Sequence, residues 1–175
     1  MRADFGTARA IDARAYGLPG QRTFQLQIVG ASEESAALWL EKQQLQALSL
    51  ALTQVLSQLG RAEGGAEEIG AFPEAPEHDF RVGRMQIFFD SAEGSVVLQV
   101  FEITREEEEE EPDIQVKLTE DACVSLNARL QEIIAAGRPQ CHLCGQPIDP
   151  EGHACIRHNG HSKEPIPEER FDEES

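Results

Sequence analysis

The chain has 175 residues, of which 40% are hydrophobic, which is enough for one ordinary core and a small appended module. Its 32 acidic and 15 basic residues give a formal net charge of −17, which argues against binding to nucleic acids or anionic membranes. The sequence shows neither an apolar signal-peptide run nor the roughly 20 apolar residues that span a bilayer, so we expect a cytoplasmic protein.

The first half of the chain predicts three strands followed by a helix. Apolar and polar residues alternate after the turn signal at Pro19 and Gly20, which indicates a hairpin with one wet face that carries Gln25 and Gln27. The period then changes to that of an amphipathic helix ending at Gly60. The predicted strands cover residues 8–15, 22–29 and 36–40, and the apolar stripe of the helix comprises Leu45, Leu48, Leu52, Val55, Leu56 and Leu59.

The second half repeats this order after a loop rich in Gly, Glu and Pro at about 61–77. Strands are predicted at 80–89, 96–104 and 114–118, before a helix that starts after Thr119 and ends at Gly137. The apolar stripe of this helix comprises Cys123, Leu126, Leu130, Ile133 and Ile134. A shift of 78 positions places Leu48 on Leu126 and Leu52 on Leu130. We therefore predict an α+β domain over residues 1–137, with an antiparallel sheet covered by two helices and a duplicated βββα unit at 7–60 and 80–137.

Three of the four cysteines and four of the five histidines lie between residues 141 and 161. Cys141 and Cys144 are two residues apart and are followed by a glycine, a spacing that aims both sulfurs at one point. His153 and Cys155 point to the same side of an extended segment and would complete a tetrahedral site. His158 is an alternate ligand. A closed shell of three sulfurs and one nitrogen favours structural zinc, although iron fits the same ligands.

The string Cys141-x-x-Cys144-Gly-x-Pro147-Ile-Asp149-Pro150-x-Gly152-His153-x-Cys155 resembles the C-terminal signature of an uncharacterised bacterial family, domain of unknown function 3090. Segments at 19–24, 40–44 and 80–85 resemble the same family, so the similarity covers residues 16 to 160. The resemblance implies Cys141, Cys144, His153 and Cys155 as metal-type positions, whereas His158 falls where the family pattern is loose. It implies no activity.

Four polar residues at the starts of predicted elements form a candidate ligand or partner patch, namely Gln21, Arg22, Lys42 and Arg81. These residues would converge on an anionic ligand. The alternative, which we favour, is that the arginines pair with the abundant carboxylates, since exposed ion pairs are common and individually weak.

The sequence carries no Gly-x-Ser-x-Gly, phosphate-cradling glycine loop or His-Glu-x-x-His motif, so we assign no catalytic residues. We predict a protein-interaction or regulatory module, in which a zinc-binding module at 138–161 follows the α+β domain and precedes a disordered acidic tail at 162–175. The alternative is a metal-dependent or anion-binding enzyme, for instance a hydrolase. Nucleic-acid binding ranks third because of the net charge.

Overall fold

The computed structural model describes residues 3–18, 20–61, 72–104 and 110–137. The predicted zinc-binding module and acidic tail lie outside these residues. The described ranges form seven strands and two helices, which confirms the mixed α+β class. The elements are β1 (Ala3–Thr7), β2 (Ala10–Tyr16), β3 (Thr23–Val29), β4 (Ser35–Leu40), α1 (Lys42–Gln58), β5 (His78–Asp90), β6 (Ser95–Glu102), β7 (Ile114–Leu118) and α2 (Glu120–Ala136).

The strands form one sheet in the order β1-β7-β6-β5-β4-β3-β2. Neighbours in sequence pair antiparallel within β2-β3-β4 and within β5-β6-β7. However, β4 pairs with β5 in parallel, and so does β1 with β7. The prediction of an antiparallel sheet was therefore wrong for these two pairs. A helix follows β4 and returns the chain to the same end of the sheet, so the next strand runs in the same direction.

Two long stretches of strand each pair with different neighbours along their length. Residues 78–81 of β5 pair with β4, and its remainder from Val82 to Asp90 pairs with β6. Only Ala8 and Arg9 separate β1 from β2. The Ala8 amide donates to the carbonyl of Lys117 in β7 at 2.8 Å, and the Arg9 amide donates to the carbonyl of Val29 in β3 at 2.9 Å. These two adjacent residues thus bond to β7 and β3, which lie near opposite ends of the strand order.

Both helices pack on one face of this sheet. The apolar stripes predicted for α1 and α2 face the core, and apart from the peripheral Leu59 and Ile134 their members are buried. This periodicity drives the packing because an amphipathic helix gains stability mainly by removing its apolar face from water. Residues on the core face of the sheet include Leu26, Ile28, Leu38, Leu98 and Val116.

The prediction that one face of the β2–β3 hairpin is exposed to solvent is wrong for its two glutamines. Gln25 and Gln27 are only 8% and 4% exposed, and the Gln27 amide nitrogen donates to Gln25 Oε1 at 2.7 Å. Tyr16 donates its hydroxyl to the same oxygen at 3.2 Å, and its ring lies 5.7 Å from that of Trp39. Large aromatic side chains on flanking strands therefore cover polar residues that alternation alone assigns to solvent.

A buried polar contact joins the two helices. Ser49 Oγ donates to Asn127 Oδ1 at 2.8 Å, and Asn127 Nδ2 donates to Thr53 Oγ1 at 3.0 Å. Ser49 and Asn127 are equivalent under the shift that superposes the two helical stripes. The helices therefore meet at corresponding positions, and this polar contact fixes their relative register.

We expect Ser49→Ala to cost about 1–3 kcal/mol in the free energy of unfolding, because it leaves the buried Asn127 carbonyl oxygen without its donor. The double variant Ser49→Ala/Asn127→Leu removes both polar groups and should be less destabilised than the sum of the two single variants. Urea unfolding of the wild type, both single variants and the double variant measures this coupling. Strictly additive losses would contradict it.

Candidate functional site

The strand register places the four residues of the predicted patch at one end of the sheet. Phe24 at the start of β3 pairs with Leu40 at the end of β4, and Trp39 pairs with Arg81. Gln21 and Arg22 directly precede β3, whereas Lys42 is the first residue of α1 and is exposed. Gln21 and Arg22 therefore lie at the start of β3 and Arg81 lies in β5, with β4 between these strands, and Lys42 begins the helix that follows β4.

The two arginines of this patch already have partners in the protein. Arg81 forms an exposed ion pair with Glu41, the residue that caps the N-terminus of α1. Arg22 donates from Nη2 to the main-chain carbonyl of Ile133 in α2 at 2.6 Å, and its guanidinium carbon lies 5.2 Å from the centre of the Phe24 ring. Both contacts fit a structural role better than the binding of a free anion.

The contact of Arg22 also fixes the end of α2. Gly137 follows the helix, and its amide donates to the Ile133 carbonyl that accepts from Arg22. A side chain at this position would meet the Arg22 guanidinium, so the flexible end of the Arg22 side chain would have to shift to make room for it.

The described part of the chain holds no group of three or more His, Cys, Asp or Glu side chains that could bind a metal. Cys141, Cys144, His153, Cys155 and the alternate ligand His158 all lie outside it. Within the same described ranges, no helix is long and apolar enough to cross a bilayer.

Cys123 is the cysteine within the described ranges, and it lies fully buried on the apolar face of α2. Burial raises the pKa of its thiol from the ordinary value of 9.0 to about 12, with a smaller contribution from the Glu120 carboxylate. The thiolate is the nucleophilic form, so Cys123 is a core residue rather than a reactive one. This agrees with its position on the predicted apolar stripe.

We expect the variant Cys141→Ser/Cys144→Ser/Cys155→Ser, which keeps Cys123 alone, to resist thiol reagents at neutral pH until the protein unfolds. Because the folded state holds the thiol proton more tightly, this group stabilises the fold fully below pH 9.0 and loses that contribution as pH rises toward about 12. Labelling rates in buffer and in concentrated urea, measured across this pH range, test both statements. Rapid labelling of folded protein would contradict them.

The geometry defines an α+β domain with two antiparallel three-strand segments, each followed by a helix. The chain belongs to the family described as "Protein of unknown function (DUF3090)", which matches residues 3–155. Comparison with curated proteins and with solved structures gave no significant match.

Proposed function

We propose that this protein is a protein-interaction or regulatory module whose zinc ion has a structural role. The observation that carries the proposal is the set Cys141, Cys144, His153 and Cys155, with two thiolates two residues apart and a His-x-Cys pair nearby. The family match covers residues 3–155, which include these four residues but not His158.

Four protein ligands would close the coordination shell of the metal. A closed shell stabilises a small fold and offers no open position for a substrate, which is the usual difference between structural and catalytic zinc sites. The contact between Arg22 and the Ile133 carbonyl holds the end of α2, the helix that precedes the proposed module. A compact tip on a rigid body would present a defined surface to a protein partner.

The alternative function, an enzyme, would need either free arginines or an open position on the metal. An anion-binding enzyme based on the patch would require free arginines, but Arg22 contacts the Ile133 carbonyl and Arg81 pairs with Glu41. A metal-dependent hydrolase would require a water molecule on the metal, and therefore only three protein ligands. Of the two, the metal route is the stronger competitor.

The proposed setting is the cytoplasm. Cysteines with metal-ligand spacing are typical of reducing compartments, where disulfides rarely form. The net charge of −17 supports a protein partner over nucleic acids or anionic membranes.

X-ray absorption spectroscopy of the purified full-length protein tests this proposal. Zinc with three sulfur and one nitrogen neighbours is the expected result. A bound water oxygen with a missing sulfur would favour the hydrolase alternative, and iron in the same shell would correct the metal but keep the structural role. Purified protein without any metal would refute the proposal.

We also propose that residues 7–60 and 80–137 are copies of one βββα unit. The helices support this because each has 17 residues and their equivalent positions meet at Ser49 and Asn127. The sheet adds further support, since β4 pairs in parallel with β5 at the start of the second antiparallel segment, and β7 pairs in parallel with β1, which directly precedes the first segment.

A further inference from the structure

The solvent side of α1 carries no charge beyond its first residue. Although 27% of the chain's residues are charged, none lies between Gln43 and Gly60. The exposed side chains of the helix after Lys42 are amides, hydroxyls, one alanine and Leu50, which is 60% exposed. Depletion of charged residues distinguishes the centre of a protein interface from ordinary protein surface. This side of α1 therefore has the composition of an interface.

The other helix does not share this composition. The carboxylates of Asp121 and Glu132 on α2 correspond, under the shift of 78 residues, to the amides of Gln43 and Gln54 on α1. All four side chains are exposed, so burial does not explain the difference. The two helices have the same length and pack on the same face of the sheet. The uncharged surface is thus a property of α1 and not of the βββα unit as such.

The middle of this uncharged side is a narrow stripe along the helix. Its exposed residues follow one another at spacings of four, three, four and three positions, namely Gln43, Ala47, Leu50, Gln54 and Ser57. Residues at these spacings form the seam between two helices that pack side by side. The stripe is about 21 Å long, and Leu50 lies at its centre.

We propose that two copies of the chain associate through this stripe, with their α1 helices antiparallel about a two-fold axis at Leu50. Leu50 of one copy packs against Leu50 of the other, and Gln43 of each copy faces Ser57 of the other. The antiparallel direction brings Lys42 close to the C-terminal end of the other α1, which has no basic residue in its last turn. A cation is favourable there because the helix dipole is negative at that end.

The charge of the protein favours a second copy as the occupant of the stripe. Two chains with a net charge of −17 repel each other where their carboxylates meet, and an uncharged stripe avoids this repulsion at the contact. A basic partner protein would gain nothing from an uncharged surface, because its attraction is to carboxylates. The stripe also matches its own copy, since both sides present the same leucine and the same amides. The proposed dimer does not depend on the zinc ion.

Sedimentation equilibrium of the full-length protein tests the proposal. The contact is smaller than a standard protein interface, so we expect a reversible dimer with a dissociation constant on the order of 10–100 μM. Raising the NaCl concentration from about 50 to about 500 mM should tighten the dimer at least about fivefold, because salt screens the repulsion between the two acidic chains. At about 1 μM the protein is then monomeric, so unfolding measured at that concentration reports on the monomer.

A matched pair of variants separates the stripe from the total charge. Gln54→Glu introduces the carboxylate of the equivalent α2 position and should weaken the dimer at least about tenfold, because it places an unpaired charge in the contact. Gln131→Glu makes the same change on the exposed surface of α2 and should leave the dissociation constant within about twofold.

A charge swap at Leu50 tests the two-fold axis itself. Leu50→Glu and Leu50→Lys should each be monomeric alone, because the axis places like charges face to face. An equimolar mixture of the two variants should form a mixed dimer, since opposite charges then meet. Circular dichroism confirms that both variants are folded. Cys141→Ser/Cys144→Ser should lose the metal but keep the dimer, so failure of the zinc proposal is distinguishable from failure of this one.

The proposal is wrong if the protein stays monomeric at about 1 mM in high salt. It is also wrong if folded Leu50→Glu forms the same dimer as the wild type, or if salt dissociates the dimer, which would indicate ion pairs instead of an uncharged contact. A dimer that disappears together with the metal would assign the association to the metal-binding residues and not to α1.

Discussion

The variant Cys144→Ala should lose its metal while the α+β domain stays folded. Removing one of four ligands opens the site, and structural zinc sites of this kind contribute about 10–16 kcal/mol of binding free energy in small peptides. The core of the described domain is built from the sheet and the two helices, so we expect it to keep its packing without the metal. Metal analysis by mass spectrometry and thermal unfolding by circular dichroism measure the two effects separately.

Two controls sharpen this experiment. His142→Ala changes a residue next to a ligand and should keep the metal. Cys123→Ala removes a buried thiol from the core and should lower stability without changing the metal content. Global unfolding of Cys144→Ala would show that the metal holds the whole protein together, and full retention of the metal would exclude Cys144 as a ligand.

Truncation of either central leucine of the helices should have the second large effect. Leu52 and Leu130 are both fully buried and occupy equivalent positions in α1 and α2. Each change to alanine removes buried apolar surface and leaves a cavity, which costs about 3 kcal/mol in the free energy of unfolding. Urea unfolding monitored by circular dichroism provides this value for each variant.

Leu50→Ala is the matched control, because Leu50 belongs to the same helix as Leu52 but is 60% exposed. Its change in stability should stay within about 0.5 kcal/mol. Similar losses for Leu52→Ala and Leu130→Ala would agree with equivalent environments in the two halves. A small loss for either would mean that its surroundings collapse around the smaller side chain, contrary to the packing described above.

The helices could be predicted from the sequence because their structure follows from local periodicity. The stripe from Leu45 to Leu56 alone fixes the buried face of α1, and Thr119 marks the start of α2 by accepting a hydrogen bond from the Ala122 amide. Strand direction could not be predicted in the same way. It depends on which distant strands meet, and the pairing of β1 with β7 joins residues more than a hundred positions apart.

The first strand was missed altogether, since its five residues include a glycine and show weak alternation. A signal was present in the repeated pair Asp4-Phe5 and Asp79-Phe80. Both pairs begin a stretch that bonds in parallel to the last strand of the other half. Comparing the two halves of the chain for short identical strings, rather than for apolar stripes alone, would have located this strand.

In the candidate site, too, features that depend on local sequence could be predicted, whereas a contact between distant residues could not. The metal ligands could be proposed because their chemistry depends on short spacings within one segment. The ion pair of Arg81 with Glu41 matches the expectation that arginines pair with nearby carboxylates. The contact of Arg22 with the Ile133 carbonyl could not be predicted. Every residue has a main-chain carbonyl, so residue type does not mark the acceptor, and the two residues lie far apart in the chain.

The junction at Ala8 and Arg9 has a consequence for the order in which the protein is made. The ribosome synthesises β1 first, but its partner β7 is complete only at Leu118. Until then the Ala8 amide cannot donate its hydrogen bond to the Lys117 carbonyl, and β1 cannot pair with β7. Such distant pairing slows folding, because the chain must close a long loop before the contact forms. During synthesis, β1 can therefore pair with β7 only after nearly all of the described domain has been made.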